Sequence, residues 1–371
     1  MSAQKNQKVD KGGAAEEALR EYFKSLGSFV LRGIPVREAG EDVTDVDLWV
    51  YTRTSAHARH VSIVDIKNKK RGKAFERAIW VKGLQSALRA DEAIIASQGA
   101  KDSVYAFSNR LNVRVISSSV FDAIVKRYAG EDQRLSNEEV DELWRMIAVG
   151  SANLKVQMDS VKVEISRGIS FPALNHWVDE AANLLKLAVE RERKPGPITR
   201  AAYMCSALVG IGADYLGKEH SLSEVSMRQE YFRQGLLFGR TDAAASKSYV
   251  QFAENVVTEF FDPSGATAAR IRAGFETAVE KMPVQGLVEF FAKPNVGTEL
   301  LKGAIGLEAA CFSRTVPHPS ELGSLEAKTI IGLVSDYAGL RRKDVLGASA
   351  TERQSKSAGV ETAPAQRGLL F

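Results

Sequence analysis

Asp47, Asp65 and Lys67 are the residues whose types and spacing could do chemistry. They sit in two short apolar runs, Asp45-Val46-Asp47-Leu48-Trp49-Val50 and Val61-Ser62-Ile63-Val64-Asp65-Ile66-Lys67. Each run reads as a β-strand, and a turn-like Thr54-Ser55-Ala56-His57 stretch separates them. Two carboxylates and a lysine on adjacent strands suit a divalent cation and a phosphodiester. Hard cations such as Mg²⁺ take oxygen ligands and often use only one or two carboxylates, with water and substrate phosphate completing the shell. A bound ion lowers the pKa of its water and offsets charge building on phosphorus. Residues i and i+2 of a strand face one side, so Asp65 and Lys67 project together and Ile66 faces the other way. The lysine can then hold the attacking water or stabilise the developing negative charge.

The elements needed to position these groups can be read on either side of them. A helix opens at Gly13-Ala14-Ala15-Glu16-Glu17 and closes at Leu26-Gly27. After the two strands, Lys73 to Leu88 reads as a helix, with apolar residues at Ala74, Ala78, Val81, Leu84 and Leu88. Ala93-Ile94-Ile95-Ala96 reads as a buried strand and Ser97-Gln98-Gly99 as a turn. Val104 to Arg110 reads as a short helix, and Val113-Arg114-Val115-Ile116 as a further strand. The resulting order is α-β-β-β-α-β-α-β.

This set of residues and this order resemble the PD-(D/E)xK nuclease superfamily, in the branch of Mrr-type restriction enzymes and archaeal Holliday-junction resolvases. The resemblance covers roughly residues 12–125. It implies a restriction-endonuclease-like α/β domain, a mixed central sheet flanked by helices. The family's helix glutamate falls on Glu17, with Glu16 as the fallback. Its first-strand aspartate falls on Asp47, where Val46 replaces the name-giving proline. Its paired acid and lysine fall on Asp65 and Lys67. The implied catalytic set is Asp47, Asp65, Lys67 and Glu17. The implied metal set is Asp47, Asp65 and Ile66, for Mg²⁺ with Mn²⁺ able to substitute. Gln85 lies on the helix that often lends a polar residue to such a site. His57 and His60 read as exposed hairpin residues, not ligands.

Charge points the same way. Residues 1–130 carry 22 Lys/Arg against 15 Asp/Glu, although the whole chain is only +4. Lys67-Asn68-Lys69-Lys70-Arg71-Gly72-Lys73 runs directly off the strand that carries Asp65. Cations beside a scissile phosphate give sequence-independent, salt-sensitive affinity. Lys69, Lys70, Arg71 and Lys73, with Gln85, are therefore the expected nucleic-acid contacts. A solvated loop is the competing reading.

At 371 residues the chain has room for two domains, and 44% hydrophobic content builds ordinary cores. No apolar run approaches the ~18 residues of a membrane span. Met1 to Gly12 is polar and reads as a disordered N-terminus, not a signal peptide. Cys205 and Cys311 offer neither metal spacing nor a disulfide framework, which fits a reducing cytoplasm. The expected division is a nuclease-like domain at 13–130, a mostly α-helical domain at 131–345 and a disordered tail at 346–371.

Within the helical part, Lys155 to Ile165 alternates enough to read as a short strand or hairpin. Trp177 to Glu190 is amphipathic, and Thr199 to Leu216 reads as a buried apolar helix. Tyr249, Phe252, Ala253, Val256, Val257, Phe260 and Phe261 form a stripe at helical spacing, which reads as core or interface. Further helices read at 265–281, 297–312 and 323–340. Gly212 to Glu219 nearly matches a phosphate-binding P-loop. Glu219 stands where that loop needs Ser or Thr, and the preceding residues read as helix. Gly217 is better read as a helix C-cap.

Gly347 to Arg367 is rich in small polar residues and should be disordered. It ends in Gln366-Arg367-Gly368-Leu369-Leu370-Phe371. Gln366, Leu369 and Phe371 resemble the Q-x-x-L-x-F peptide by which bacterial replication and repair proteins dock on the sliding clamp. Such a tail would tether the domain near clamp-loaded DNA. The residues thus point to a metal-dependent nuclease that hydrolyses phosphodiester bonds in DNA, with RNA as the open alternative, in phage defence, restriction or DNA repair. Two alternatives stay open: a catalytically inactive nucleic-acid-binding protein, and a partner-sensing protein on the same fold. A homodimer, or a complex with another protein, is compatible with each.

Overall fold

The structure is a computed structural model that describes residues 11–67, 74–97, 102–128, 134–241 and 243–347. It opens with helix α1 (Lys11–Ser25) and strands β1 (Phe29–Glu38), β2 (Glu41–Arg53) and β3 (Arg59–Lys67). Helix α2 (Ala74–Leu88), strand β4 (Glu92–Ser97), helix α3 (Asp102–Arg110), strand β5 (Val113–Ile116) and helix α4 (Ser118–Tyr128) follow. The five strands form one mixed sheet in the order β1-β2-β3-β4-β5. β1, β2 and β3 run antiparallel, while β4 and β5 join parallel to β3. A parallel neighbour needs a crossover, which α2 and α3 supply.

Alternation along the strands divides the sheet's two faces. Leu48, Val50, Val64, Ile66, Ile94 and Ala96 pack with Ala15, Ala18 and Leu19 of α1 and Phe121 and Ile124 of α4. Trp49, Tyr51, Ile63, Ala93 and Ile95 face the other way, towards Ala78 and Val81 of α2 and the helices that follow.

Those helices are α5 (Asn137–Arg145), α6 (Leu154–Arg167), α7 (Phe171–Arg191), α8 (Pro197–Gly217) and α9 (Val225–Phe238). Then come α10 (Ala243–Phe260), α11 (Ala266–Glu280), α12 (Gln285–Phe291), α13 (Val296–Phe312), α14 (Leu325–Tyr337) and α15 (Arg342–Leu346). α8 is buried along nearly its whole length, and α7 and α13 flank it. One continuous apolar core runs from the sheet through α5 to α9 and α12 to α15. The boundary expected near residue 130 is therefore crossed by packing on a large scale. No helix among the described residues is long and apolar enough to cross a membrane.

Three local expectations are corrected. Residues 155–165 form α6, not a strand. Asn153 caps this helix by accepting the Val156 N–H, and Met158, Val161 and Ile165 bury one face at helical spacing. The alternation of Val161, Val163 and Ile165 arises because two faces of this helix are covered. The aromatic stripe of α10, read as core or interface, is not core: Phe252, Phe260 and Phe261 are exposed, and α10 packs mainly on α11. Gly217 is not a left-handed C-cap. It has a right-handed φ of −62°, since α8 runs straight into a single 3-10 turn at Lys218–His220.

Candidate functional site

β2 and β3 bring the two aspartates together. Their ladder pairs Leu48 with Val64 as its last regular step. One residue further, Asp47 and Asp65 stand opposite each other. Directly opposed residues on antiparallel strands share a face, with Cβ atoms about 5 Å apart. Here the ladder stops, and the Asp47 side chain takes over from the main chain: its Oδ2 accepts the Ile66 N–H at 2.6 Å. That bond fixes the Asp47 carboxylate against β3, beside Asp65. Ile66 has no side-chain ligand atom, so its backbone carbonyl is the group that it could offer a metal.

Asp65 is buried, 5% exposed, and Asp47 is half-buried. A buried carboxylate requires a counter-charge. Arg77, in the first turn of α2, supplies it. Its Nε donates to Asp65 Oδ2 at 2.9 Å and its Nη2 pairs with Oδ1 in a bidentate fork. The same guanidinium lies over the Trp80 ring, 4.7 Å from its centre. Burial lowers the Arg77 pKa, and the charge of Asp47 opposes that effect. Arg77 therefore lies within electrostatic reach of both aspartates. Sequence reading missed this residue, because an arginine at the start of a helix gives no signal of what it will meet.

The two helix glutamates have different surroundings. Glu17 pairs with Arg20 Nε at 2.7 Å and with Arg32, and Arg134 approaches to 4.0 Å. Burial works against its charge, yet these three arginines together hold its carboxyl below the ordinary range. Glu16 accepts from Arg32 at 2.6 and 3.2 Å. Burial raises its pKa, Arg32 opposes the rise, and the charge of Asp47 adds to it. The carboxyl of Glu16 thus senses the charge of Asp47.

Gln85 points to no ligand. It is buried, and its amide donates to the carbonyls of Ala90 at 3.2 Å and Asp91 at 2.9 Å, while Lys82 donates to its Oε1. Its polar atoms are used to close the chain between α2 and β4. Of the expected nucleic-acid contacts this one is corrected, since a buried amide with three internal partners has little left to offer. Lys67 ends β3 opposite Ser97, but its side chain lies outside the described residues. Lys69, Lys70, Arg71 and Lys73 also lie outside them, as do Gln366, Leu369 and Phe371.

The donor set fits a hard divalent cation. Asp47 and Asp65 offer only oxygen, and Mg²⁺ is commonly held by one or two carboxylates with water in the remaining positions. Among the described residues no group of three His, Cys, Asp or Glu could hold a metal. Arg77 occupies Asp65, so an ion shared by the two carboxylates would displace the guanidinium or sit beside it. The parallel strands β3 and β4 end side by side at Lys67 and Ser97. Ligands of open α/β sheets bind at such ends. In comparisons with known proteins the chain matches no family model, no curated sequence and no solved structure.

Proposed function

We propose that the chain is a metal-dependent nuclease that hydrolyses phosphodiester bonds in DNA, with a PD-(D/E)xK core at its sheet. The observation that carries this reading is the opposition of Asp47 and Asp65 on β2 and β3, with Lys67 two residues after Asp65. The mixed sheet and its α-β-β-β-α-β-α-β order are compatible with that core. Mg²⁺ at the aspartates would supply an activated water and neutralise charge on the phosphate. Asp47 and Asp65 hold the site's negative charge in place, and the Ile66 N–H orients Asp47. Lys67 contributes positive charge where the phosphorane develops. Trp80, 38% exposed and covered on one ring face by Arg77, offers its remaining surface for stacking an unpaired base. A role in phage defence or DNA repair follows from this chemistry, and the clamp-like peptide at Gln366 to Phe371 favours repair.

One observation favours a second reading. Arg77 already neutralises Asp65, as a structural ion pair would in a protein that binds nucleic acid without cutting it. A single assay separates the two. Plasmid and single-stranded DNA are incubated with Mg²⁺ or Mn²⁺ and wild type, Asp65→Ala or Lys67→Ala. Cleavage by wild type alone, abolished by chelator, supports the nuclease. Salt-sensitive binding without cleavage, indifferent to chelator, would sink it in favour of the binding protein.

A further inference from the structure

α10 and α11 form a helical hairpin whose main packing, among the described residues, is of one helix on the other. It touches the body where the Phe275 ring stacks on Phe238, the last residue of α9, with centroids 6.3 Å apart. The hairpin is nevertheless well built. Arg272 of α11 grips Glu254 of α10 through two hydrogen bonds. In the turn, Asp262 accepts the Ser264 N–H at 3.0 Å and the Thr267 N–H at 2.8 Å, which caps the start of α11.

Glu254 marks the side of α10 that faces α11. With 3.6 residues per turn, Phe252, Val256 and Phe260 fall on one stripe, four residues apart, that points away from it. Phe252 is 67% exposed and Phe260 69%, and Phe261 at the turn is 79% exposed. At about 200 Å² for a fully exposed phenylalanine, these three leave roughly 400 Å² of ring in water. A continuous apolar stripe on a helix is stable when another element covers it. An apolar patch of about this size is often functional on a monomer.

Charge and geometry favour a second copy of the chain as the cover. Residues 243–282 hold four Lys/Arg and five Asp/Glu. That balance neither repels a second hairpin nor offers the cationic excess that attracts nucleic acid or an acidic lipid surface. Phe252 and Phe260 lie equally far from Val256, each about 6 Å along the helix. A two-fold axis at Val256 therefore sets Phe252 of each copy against Phe260 of the other, an isologous contact that closes at two chains. With Gln251, Asn255 and Glu259 at its edge, such a pairing covers about 1,200 Å² in total, above the ~1,000 Å² that a specific interface needs.

We propose that the outer face of α10 is a homodimer interface, in which two hairpins pack antiparallel through Phe252, Val256 and Phe260, with Phe261 at the rim. The assignment uses no residue of the aspartate site and stands or falls apart from the nuclease reading.

Sedimentation equilibrium of the full chain, from about 1 to 100 µM, tests it. The mass should rise with concentration towards twice that of one chain. Phe252→Glu combined with Phe260→Glu removes both ring anchors and sets carboxylates against each other across the axis. Dimerisation should weaken by about 100-fold or more. Both positions are exposed, and circular dichroism melts of the double variant confirm that it folds. Leu222→Glu changes an 85% exposed leucine that precedes α9, at the opposite end of that helix from the hairpin, and should leave the dimer intact. A wild type that stays monomeric throughout overturns the proposal, and its sedimentation with phosphatidylcholine vesicles would then give the face to a lipid surface. A dimer that survives in the folded double variant, or one that Leu222→Glu abolishes equally, overturns it too.

Discussion

Glu308 of α13 is the best place to measure how firmly the helices hold the sheet. Its carboxylate is 2% exposed and takes four hydrogen bonds from three cations. Arg20 donates at 3.1 Å, Lys24 at 2.9 Å and Arg134 at 2.9 and 3.4 Å. Burial alone would push its pKa up, but Arg134, Lys24 and Arg20 together hold it far below the usual carboxylate range. Glu308→Gln keeps the shape and removes the charge. It also turns an NH₂ group towards donors. Removing one partner of a buried ion pair costs ~3–5 kcal/mol. Lys24 and Arg134 are partly exposed, so the lower end applies, about 3 kcal/mol. Unfolding entropy near ~2.1 cal/mol/K per residue, over the roughly 320 described residues, converts this into a Tm loss of about 4 °C. Urea denaturation and thermal melts followed by circular dichroism at pH 7 would report both quantities. A loss below ~0.5 kcal/mol, typical of exposed pairs, would refute the claim that this cluster holds α1 to α13.

The same carboxylate makes a pH prediction. Its folded pKa is depressed, so its contribution is present above the unfolded value of about 4.3 and is lost as pH falls through the folded one. The wild type should therefore lose its advantage over Glu308→Gln only in acid, measured as converging urea midpoints below pH 4.3 or so. Glu17→Gln should lower stability by about 1.5–3 kcal/mol, because Arg20 and Arg32 lose a charged partner, while divalent-metal affinity stays nearly constant. Unchanged stability with lost metal binding would move Glu17 into the site. On the proposed metal site, Arg77→Ala should lower the Tm without metal and leave a larger Mg²⁺-dependent stabilisation than the wild type shows, read in paired melts; an unchanged Mg²⁺ response would mean that Arg77 does not compete for Asp65. Gly235→Ala places a Cβ 2.1 Å from the Phe171 ring. It should cost about 1–3 kcal/mol through overpacking of α9 on α7, and a neutral urea midpoint would show that the ring moves aside freely.

Much of the sheet was legible because its strands are short β-branched runs bounded by turn residues. β3, β4 and β5 fall where Val61 to Lys67, Ala93 to Ala96 and Val113 to Ile116 suggested. The opposition of Asp47 and Asp65 was readable as adjacency, though not the bond from the Ile66 N–H that fixes it. That bond depends on where the β2–β3 ladder stops, which is a property of pairing and not of either strand alone. Arg77 and Asp214 were invisible for a related reason. Their meaning comes from partners 12 and 155 or more residues away. α6 was misread because a helix covered on two faces loses the one-sided pattern that periodicity detects. The division of the chain into domains followed composition, while the core joins both parts through apolar contacts that composition cannot register.

The pairing of Arg20 with Glu308 spans 288 residues. During synthesis at roughly 5–20 residues per second, α1 leaves the ribosome about 15–60 s before its last partner exists. Through that interval Arg20 has Glu17 and Glu21 as its partners among the described residues, and the sheet face around Trp49 and Tyr51 is covered only in stages, by α2 first and by the later helices as each is made. The nascent N-terminal part is thus a natural client for chaperones that shield apolar surface. Ribosome-stalled chains of increasing length should gain protease resistance in the sheet only after residue 308 has cleared the exit tunnel. Early resistance, in chains that stop near residue 130, would show that the sheet completes its folding without waiting for α13.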